Sequence, residues 1–173
     1  MESLSSTGSL ISETLANNAE FAIPLIFLLA CLEALVGIGL FVSGALLLGV
    51  VSYCLAQDLV TPTLIFFTAL GGAALGDHAG FYCGRLWGPR FHLSAFARKH
   101  AARISKTEEM IANWGGVAVA IGRFVPAIRS IVPAPHGIGG FARLRFSIID
   151  IASCTAWAGA LIGLGSGVGL LLG

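Results

Sequence analysis

Arg123 and Arg129 stand six residues apart in an otherwise apolar stretch, with Pro126 between them. A guanidinium is permanently charged and fork-shaped, and when buried it suits a phosphate or a carboxylate. On an unbroken helix the two would project about 120° apart, from 3.6 residues per turn. Pro126 kinks or ends such a helix, which lets the two side chains converge. Two carboxylates also lie in apolar sequence: Glu33 inside residues 21–57, and Asp77 just beyond 59–76, which carries no charge. Ionisable groups in such surroundings pair with one another or serve function. Arg123 and Arg129 are therefore the candidate binding residues for an anionic group, and Glu33 and Asp77 the candidates for proton coupling or ion pairing. A purely architectural reading uses the same four residues as internal salt bridges.

Other chemistries find less support. The cysteines, Cys31, Cys54, Cys83 and Cys154, form no CxxC pair, so they are expected to be small buried apolar residues rather than metal or redox groups. His78, His92 and His100 match no ligand spacing, and no metal is expected. A lipid phosphatase would need a nucleophile, for which His136 with His78 as helper are the candidates, but no Ser/His/Asp constellation accompanies them. The expectation is a protein that is not an enzyme and has no cofactor, with protons or sodium ions as candidate coupling ions.

Composition sets the medium. Of 173 residues, 56% are hydrophobic and only 11% charged, against about 25% charged in a soluble domain, and the mean hydropathy is +0.88. This is the composition of an integral membrane protein. All ten Lys and Arg lie between Arg85 and Arg145, beside apolar segments. That distribution marks cytoplasmic loops rather than a nucleic-acid surface. The first residues are polar and acidic, with Glu2, Glu13 and Glu20 and no basic n-region of a signal peptide. Residues 1–20 read as a polar, interfacial segment, with Leu4, Ile11 and Leu15 on one side of a short helix.

The elements that would position the charges follow from lengths. Residues 21–57 are too long for one crossing and short for two, since a spanning helix takes about 20 residues. Their glycines, Gly37, Gly39, Gly44 and Gly49, suggest a hairpin that enters and leaves by one face. Residues 59–84 form a crossing, with Gly76, Gly80, Gly84 and Gly88 giving it a smooth packing face. Residues 85–109 are a basic, interfacial, cytoplasmic segment.

Residues 110–142 are long enough to cross once. However, each central arginine would cost about 2.5–3.5 kcal/mol unpaired, and the flanking segments are both basic. A second re-entrant hairpin, bending at Pro133-Ala134-Pro135 and returning through Gly137–Gly140, satisfies both constraints. Residues 147–173 are the last crossing, with Gly159, Gly163 and Gly167 again at four-residue spacing and Asp150 beside Arg143 and Arg145. The expected fold is an all-α membrane protein in which two re-entrant helical hairpins, each followed by a transmembrane helix, form an inverted repeat, with interfacial amphipathic helices added. Residues 21–173 make one membrane domain. Inverted repeats with broken helices meeting at the midplane are a transporter architecture.

At these residues the chain resembles the DedA family, also called VTT-domain or SNARE-associated membrane proteins. The matching pieces are CLE at 31–33, GDHAGFYCGRLWG at 76–88, GRFVPAIRSIVPAPHGIGG at 122–140, RF at 145–146 and the glycine-rich end around Trp157. The resemblance implies two opposed hairpins in a bacterial inner membrane, and lipid transport, with undecaprenyl phosphate or another phospholipid as substrate and coupling to the proton-motive force. It implies Glu33, Asp77, Arg123 and Arg129 as functional residues, with Arg85 as a fifth. The partners expected are membrane lipids and not nucleic acid, with a homo-oligomer left open. One departure is FVSGA at 41–45, where the family pattern has prolines and a second carboxylate. Ala45 occupies the carboxylate's place, which questions proton coupling. The rival class is a proton- or sodium-coupled exporter of small cations, which the paired arginines would oppose.

Overall fold

The computed structural model describes residues 19–35, 38–40, 44–93, 109, 111, 113–120, 123–124, 129–130 and 132–172. The described residues are helical or in turns, with no strand among them. Among the described residues the α-helices are, in order, α1 (Ala22–Ala34), α2 (Gly44–Ala56), α3 (Pro62–Leu93), α4 (Pro133–Ile138) and α5 (Arg143–Leu172). Residues 113–120 add a further helical stretch.

Local chemistry explains the boundaries. Pro24 falls in the first turn of α1, where its missing N–H is not needed. The helix ends as Leu35 turns extended, its N–H still donating to the Cys31 carbonyl at 3.0 Å. At 13 residues each, α1 and α2 are about 20 Å long at 1.5 Å per residue, short of the ~30 Å hydrocarbon layer. Asp58, with φ 51°, makes the turn into α3; Asp tolerates this left-handed backbone better than most residues. Thr61 then caps α3, accepting from the Leu64 N–H at 3.4 Å, and Pro62 fills the first position. Pro62–Gly88 and Arg143–Gly167 are long and apolar enough to cross a membrane.

Several boundaries differ from those expected. α3 does not stop at residue 84 but runs to Leu93, so the segment expected at 85–109 begins inside the helix. The reason is that Gly84 and Gly88 serve packing rather than termination. Pro133 and Pro135 do not bend a hairpin; they open α4, with Pro133 in the first position, where proline is preorganised for a helix. The chain turns instead at Gly139–Gly140, with Gly140 at φ +72°. The last helix starts at Arg143, not at 147. The N-terminal helix expected within 1–20, most of the interfacial segment, the hairpin tip at 41–43, Pro126 and His100 lie outside the described residues.

α3 is the central strut. Gly72 and Gly76 take the backbone of α1 at Phe27 and Cys31, while Gly84 and Gly88 take that of α4 at Ala134 and Ile138. Gly137 of α4 returns the contact against the backbone of Phe81 and Arg85. α5 covers α2, with Gly165 against Val51, Leu55 and Ser52. Gly159, Gly163 and Gly167 depart from the expected packing role: an added Cβ at any of them meets nothing within 4 Å. Two apolar cores result. One joins Ile26, Leu29, Leu47, Val51, Ile65 and Leu161. The other joins Phe81, Ile111, Val119, Phe141 and Phe146, with Phe81 and Phe146 stacked at 4.2 Å. Along α3 the order is first core, Asp77, second core; along α5 it is second core, Asp150, first core. The two long helices thus run in opposite directions and place a polar layer between the cores.

Close helix contact through glycine predicts an asymmetry between the two glycine sets. Gly84→Ala should destabilise the fold by about 1–3 kcal/mol through overpacking against α4, whereas Gly159→Ala should leave it unchanged or slightly more stable. Denaturation midpoints in detergent test this, and equal loss in both variants would refute the packing role.

Candidate functional site

The polar layer is built from three helices and two turns. α1 supplies Glu33 near its C-terminus, and α3 supplies Asp77 and His78. The turns at 123–124 and 129–130 supply Arg123 and Arg129, and α5 supplies Asp150, Cys154 and Trp157. The last three recur at i, i+4 and i+7, one face of a helix. Glu33, Asp77, Arg123 and Asp150 are buried, and the Arg129 side chain nearly so.

Arg123 Nη1 donates to Asp77 Oδ2 and lies 3.6 Å from Asp150 Oδ1. Arg129 Nη1 donates to Glu33 Oε1 at 2.5 Å. Both guanidiniums also sit on one aromatic ring: their central carbons are 5.2 and 5.1 Å from the Trp157 ring centroid. This is cation–π geometry, and it is how the two arginines converge. Neither lies on a helix; both are in turns, so the expected 120° projection does not apply. The breaks of the chain meet here as well. A Cβ added at Gly39 would lie 2.8 Å from Ser130 Cβ, and one at Gly44 would lie 2.5 Å from Glu33 Oε1. Glycine at these positions leaves room for the ion pair.

The guanidiniums are only partly used. Among the described residues, Arg123 Nε and Nη2, Arg129 Nη2, Glu33 Oε2 and Ser130 Oγ are buried without a hydrogen-bond partner. Buried polar groups are ordinarily satisfied, and here three guanidinium nitrogens and the Ser130 hydroxyl are left over beside the two ion pairs among the described residues.

Four of the sequence-derived candidates, Glu33, Asp77, Arg123 and Arg129, come together in this layer. The other two do not. Arg85 donates to the Phe141 carbonyl at 3.0 Å and ties α3 to the start of α5. His136 places Nδ1 2.7 Å from the Val132 carbonyl and Nε2 3.1 Å from the Gly115 carbonyl, clamping 113–120 onto α4. Both have work in the backbone that keeps them from the charge layer. Asp150 is not beside Arg143 and Arg145 as its sequence position suggests. It is buried, 3.4 Å from His78 Nδ1, while Arg143 lies over the Tyr82 ring. Asp150, Cys154 and Trp157 have no site role in the sequence reading, where His78 figures only as helper to a His136 nucleophile, although the one-face spacing on α5 is a readable signal.

The cysteines divide: Cys54 and Cys154 are buried, Cys31 half-buried and Cys83 exposed. Cys83 lies among the exposed Tyr82, Leu86 and Trp87, on an outward face of α3, contrary to the expectation of burial. Ligand atoms of Asp77, Asp150 and Cys154 fall within 4.8 Å of one another. Arg123 Nη1 already lies against both carboxylates, so we assign no metal there.

Breaking a buried ion pair leaves an uncompensated charge and costs about 3–5 kcal/mol. Arg123→Leu should therefore destabilise by that order, and adding Asp77→Asn should recover part of the loss. Unfolding midpoints of the single and double variants check this; a fully stable Arg123→Leu would remove the structural role of the pair.

A VTT domain matches residues 21–167. The chain is 23% identical over 149 residues to the inner membrane protein YabI of Escherichia coli K12, covering 86% of this chain and 59% of that one. It is 25% identical over 122 residues to the protein DedA of the same organism, covering 68% and 52%. An uncharacterized membrane protein of Buchnera aphidicola subsp. Baizongia pistaciae is 20% identical over 143 residues. The chain spans a little over half the length of these relatives. No solved structure matches it. With four-fifths of its length inside the matched domain, and the charge layer inside it too, this chain belongs to the VTT-domain, or DedA, family of membrane proteins.

Proposed function

We propose that this protein moves a phosphate-bearing lipid, undecaprenyl phosphate or another phospholipid, across the bacterial inner membrane as a multi-pass transporter rather than an enzyme. The observation that carries the reading is the pair of buried arginines on the Trp157 ring, each held by a carboxylate through one nitrogen and each keeping unpartnered N–H groups. A phosphate entering hydrocarbon must be neutralised, and guanidinium forks do this with directional hydrogen bonds. The lipid headgroup engages Arg123 and Arg129, displacing Asp77 and Glu33, while its chains stay in the bilayer. Protonation of the displaced carboxylates couples lipid movement to protons.

In the same reading α1 and α2 form one re-entrant hairpin, and the segment from 110 to 142 forms the opposed one. α3 and α5 cross the membrane, with the basic end, Arg85 to Arg145, in the cytoplasm. The small-cation exporter is disfavoured, because Glu33 and Asp77 are already neutralised by arginines. Arg85 and His136 take structural rather than substrate contacts.

Proteoliposomes holding labelled undecaprenyl phosphate test the proposal. Wild type should translocate it, and Arg129→Ala should lower the rate at least about tenfold, equivalent to ~1.4 kcal/mol. Equal rates in a folded variant would defeat it. For the topology, cysteines introduced at Ser5 and Ser94 should label from opposite faces; labelling from the same face would overturn the arrangement.

A further inference from the structure

The charge layer is not balanced. Glu33, Asp77 and Asp150 supply three carboxylates against the guanidiniums of Arg123 and Arg129. An uncompensated charge among buried side chains is strongly unfavourable, and one proton removes it. The basic group placed to carry that proton is His78, whose Nδ1 is 3.4 Å from Asp150 Oδ2.

The ring's partners decide which nitrogen exchanges. Nδ1 also lies 2.8 Å from the Ala74 carbonyl. The Ala74 carbonyl can only accept, so Nδ1 carries hydrogen in either state of the ring. Nε2 lies 2.9 Å from Ser147 Oγ, a hydroxyl that can donate or accept. A neutral ring accepts from Ser147, and an imidazolium donates to it. Nε2 is therefore the atom whose protonation changes.

Of the two partners, the histidine lies nearer the protein surface. The His78 side chain is 23% exposed, against 3% for Asp150. Ser147 is four residues beyond Arg143, about 6 Å along the helix, at the basic end of the span. The other groups facing the pair are Asp77 and Tyr82 from α3, Arg123 from its turn, and Cys154 from α5. The Cys154 thiol lies 3.7 Å from Asp150 Oδ2. Arg143 stacks on Tyr82, and Glu33 with Arg129 completes the layer.

We propose that His78 is the proton-exchanging residue of the charge layer, with Nδ1 fixed by Ala74 and Asp150 and Nε2 opening through Ser147. On uptake the Ser147 hydroxyl gives its proton to Nε2 and takes one from a hydronium ion, which leaves as water, so that the hydroxyl ends unchanged. The imidazolium satisfies Asp150, which loosens that carboxylate's hold on Arg123. Loss of the proton turns Asp150 back to Arg123 and tightens it. The consequence for lipid rests on the transport reading above; the proton site does not.

Nitrogen-15 histidine NMR of the whole protein in nanodiscs, from about pH 5 to 8 where histidine changes charge, tests the site. The signal is assigned by its loss in His78→Gln, or, should that variant misfold, by its change in Asp150→Asn. The expected result is interconversion between an imidazolium and an Nδ1-protonated neutral ring. Asp150→Asn should lower the imidazolium population at neutral pH several-fold, and Ser147→Ala should slow exchange several-fold. A His78 ring that keeps one protonation state throughout, or whose neutral form carries hydrogen on Nε2, overturns the proposal. Transport read in parallel separates the two claims. Titration as stated without any movement of lipid phosphate leaves the proton site standing and removes the transport reading. Arg129-dependent transport with a His78 that never changes state does the reverse.

Discussion

A guanidinium cannot shed its charge to enter an apolar region, so it must bring compensation with it. Two such groups, Arg123 and Arg129, determine what the rest of this chain has to do. Each needs a carboxylate from a different helix, Asp77 on α3 and Glu33 on α1, and both need the Trp157 face of α5. Satisfying these partners brings α1, α3, α5 and the turns at 123–124 and 129–130 to one place. The apolar cores lie on either side of that layer rather than through it.

Glycine makes the geometry attainable. α3 meets the backbones of α1 and α4 at Gly72, Gly76, Gly84 and Gly88, so two short helices come close to one long strut. With ordinary side chains there, the axes would separate and the ion pairs would open. At Gly44 the same absence of a side chain leaves room for the Glu33 carboxylate itself. Packing and electrostatics are thus solved by the same residues. That coupling links the stability of the layer to any function in which its ion pairs exchange partners.

The layer is also incompletely satisfied, and in a patterned way. The arginines each spend one nitrogen on a carboxylate and leave others unpartnered, while the acids outnumber the guanidiniums. A layer built only to hold the fold would be expected to close both accounts. The proposed phosphate headgroup would engage the first of these features, by displacing carboxylates from the arginines, and the proposed proton on His78 the second.

Read alone, the sequence determines the medium, through its composition, and the four charges Glu33, Asp77, Arg123 and Arg129, because isolated charges in apolar runs need no neighbours to be noticed. It also determines the glycine face of α3, which is a matter of spacing. Tertiary structure decides the rest. Pro133 reads equally as a bend or as the first residue of a helix, and only packing of α4 against Gly84 and Gly88 selects the helix. Gly159, Gly163 and Gly167 have the same spacing as the α3 set yet face nothing, since spacing reports a face but not whether a neighbour covers it. Asp150 stands close to Arg143 and Arg145 in the chain, but the helix turns it inward to Arg123 and His78. Which charges meet depends on residues brought together across the fold, and that information lies in three dimensions rather than in local order.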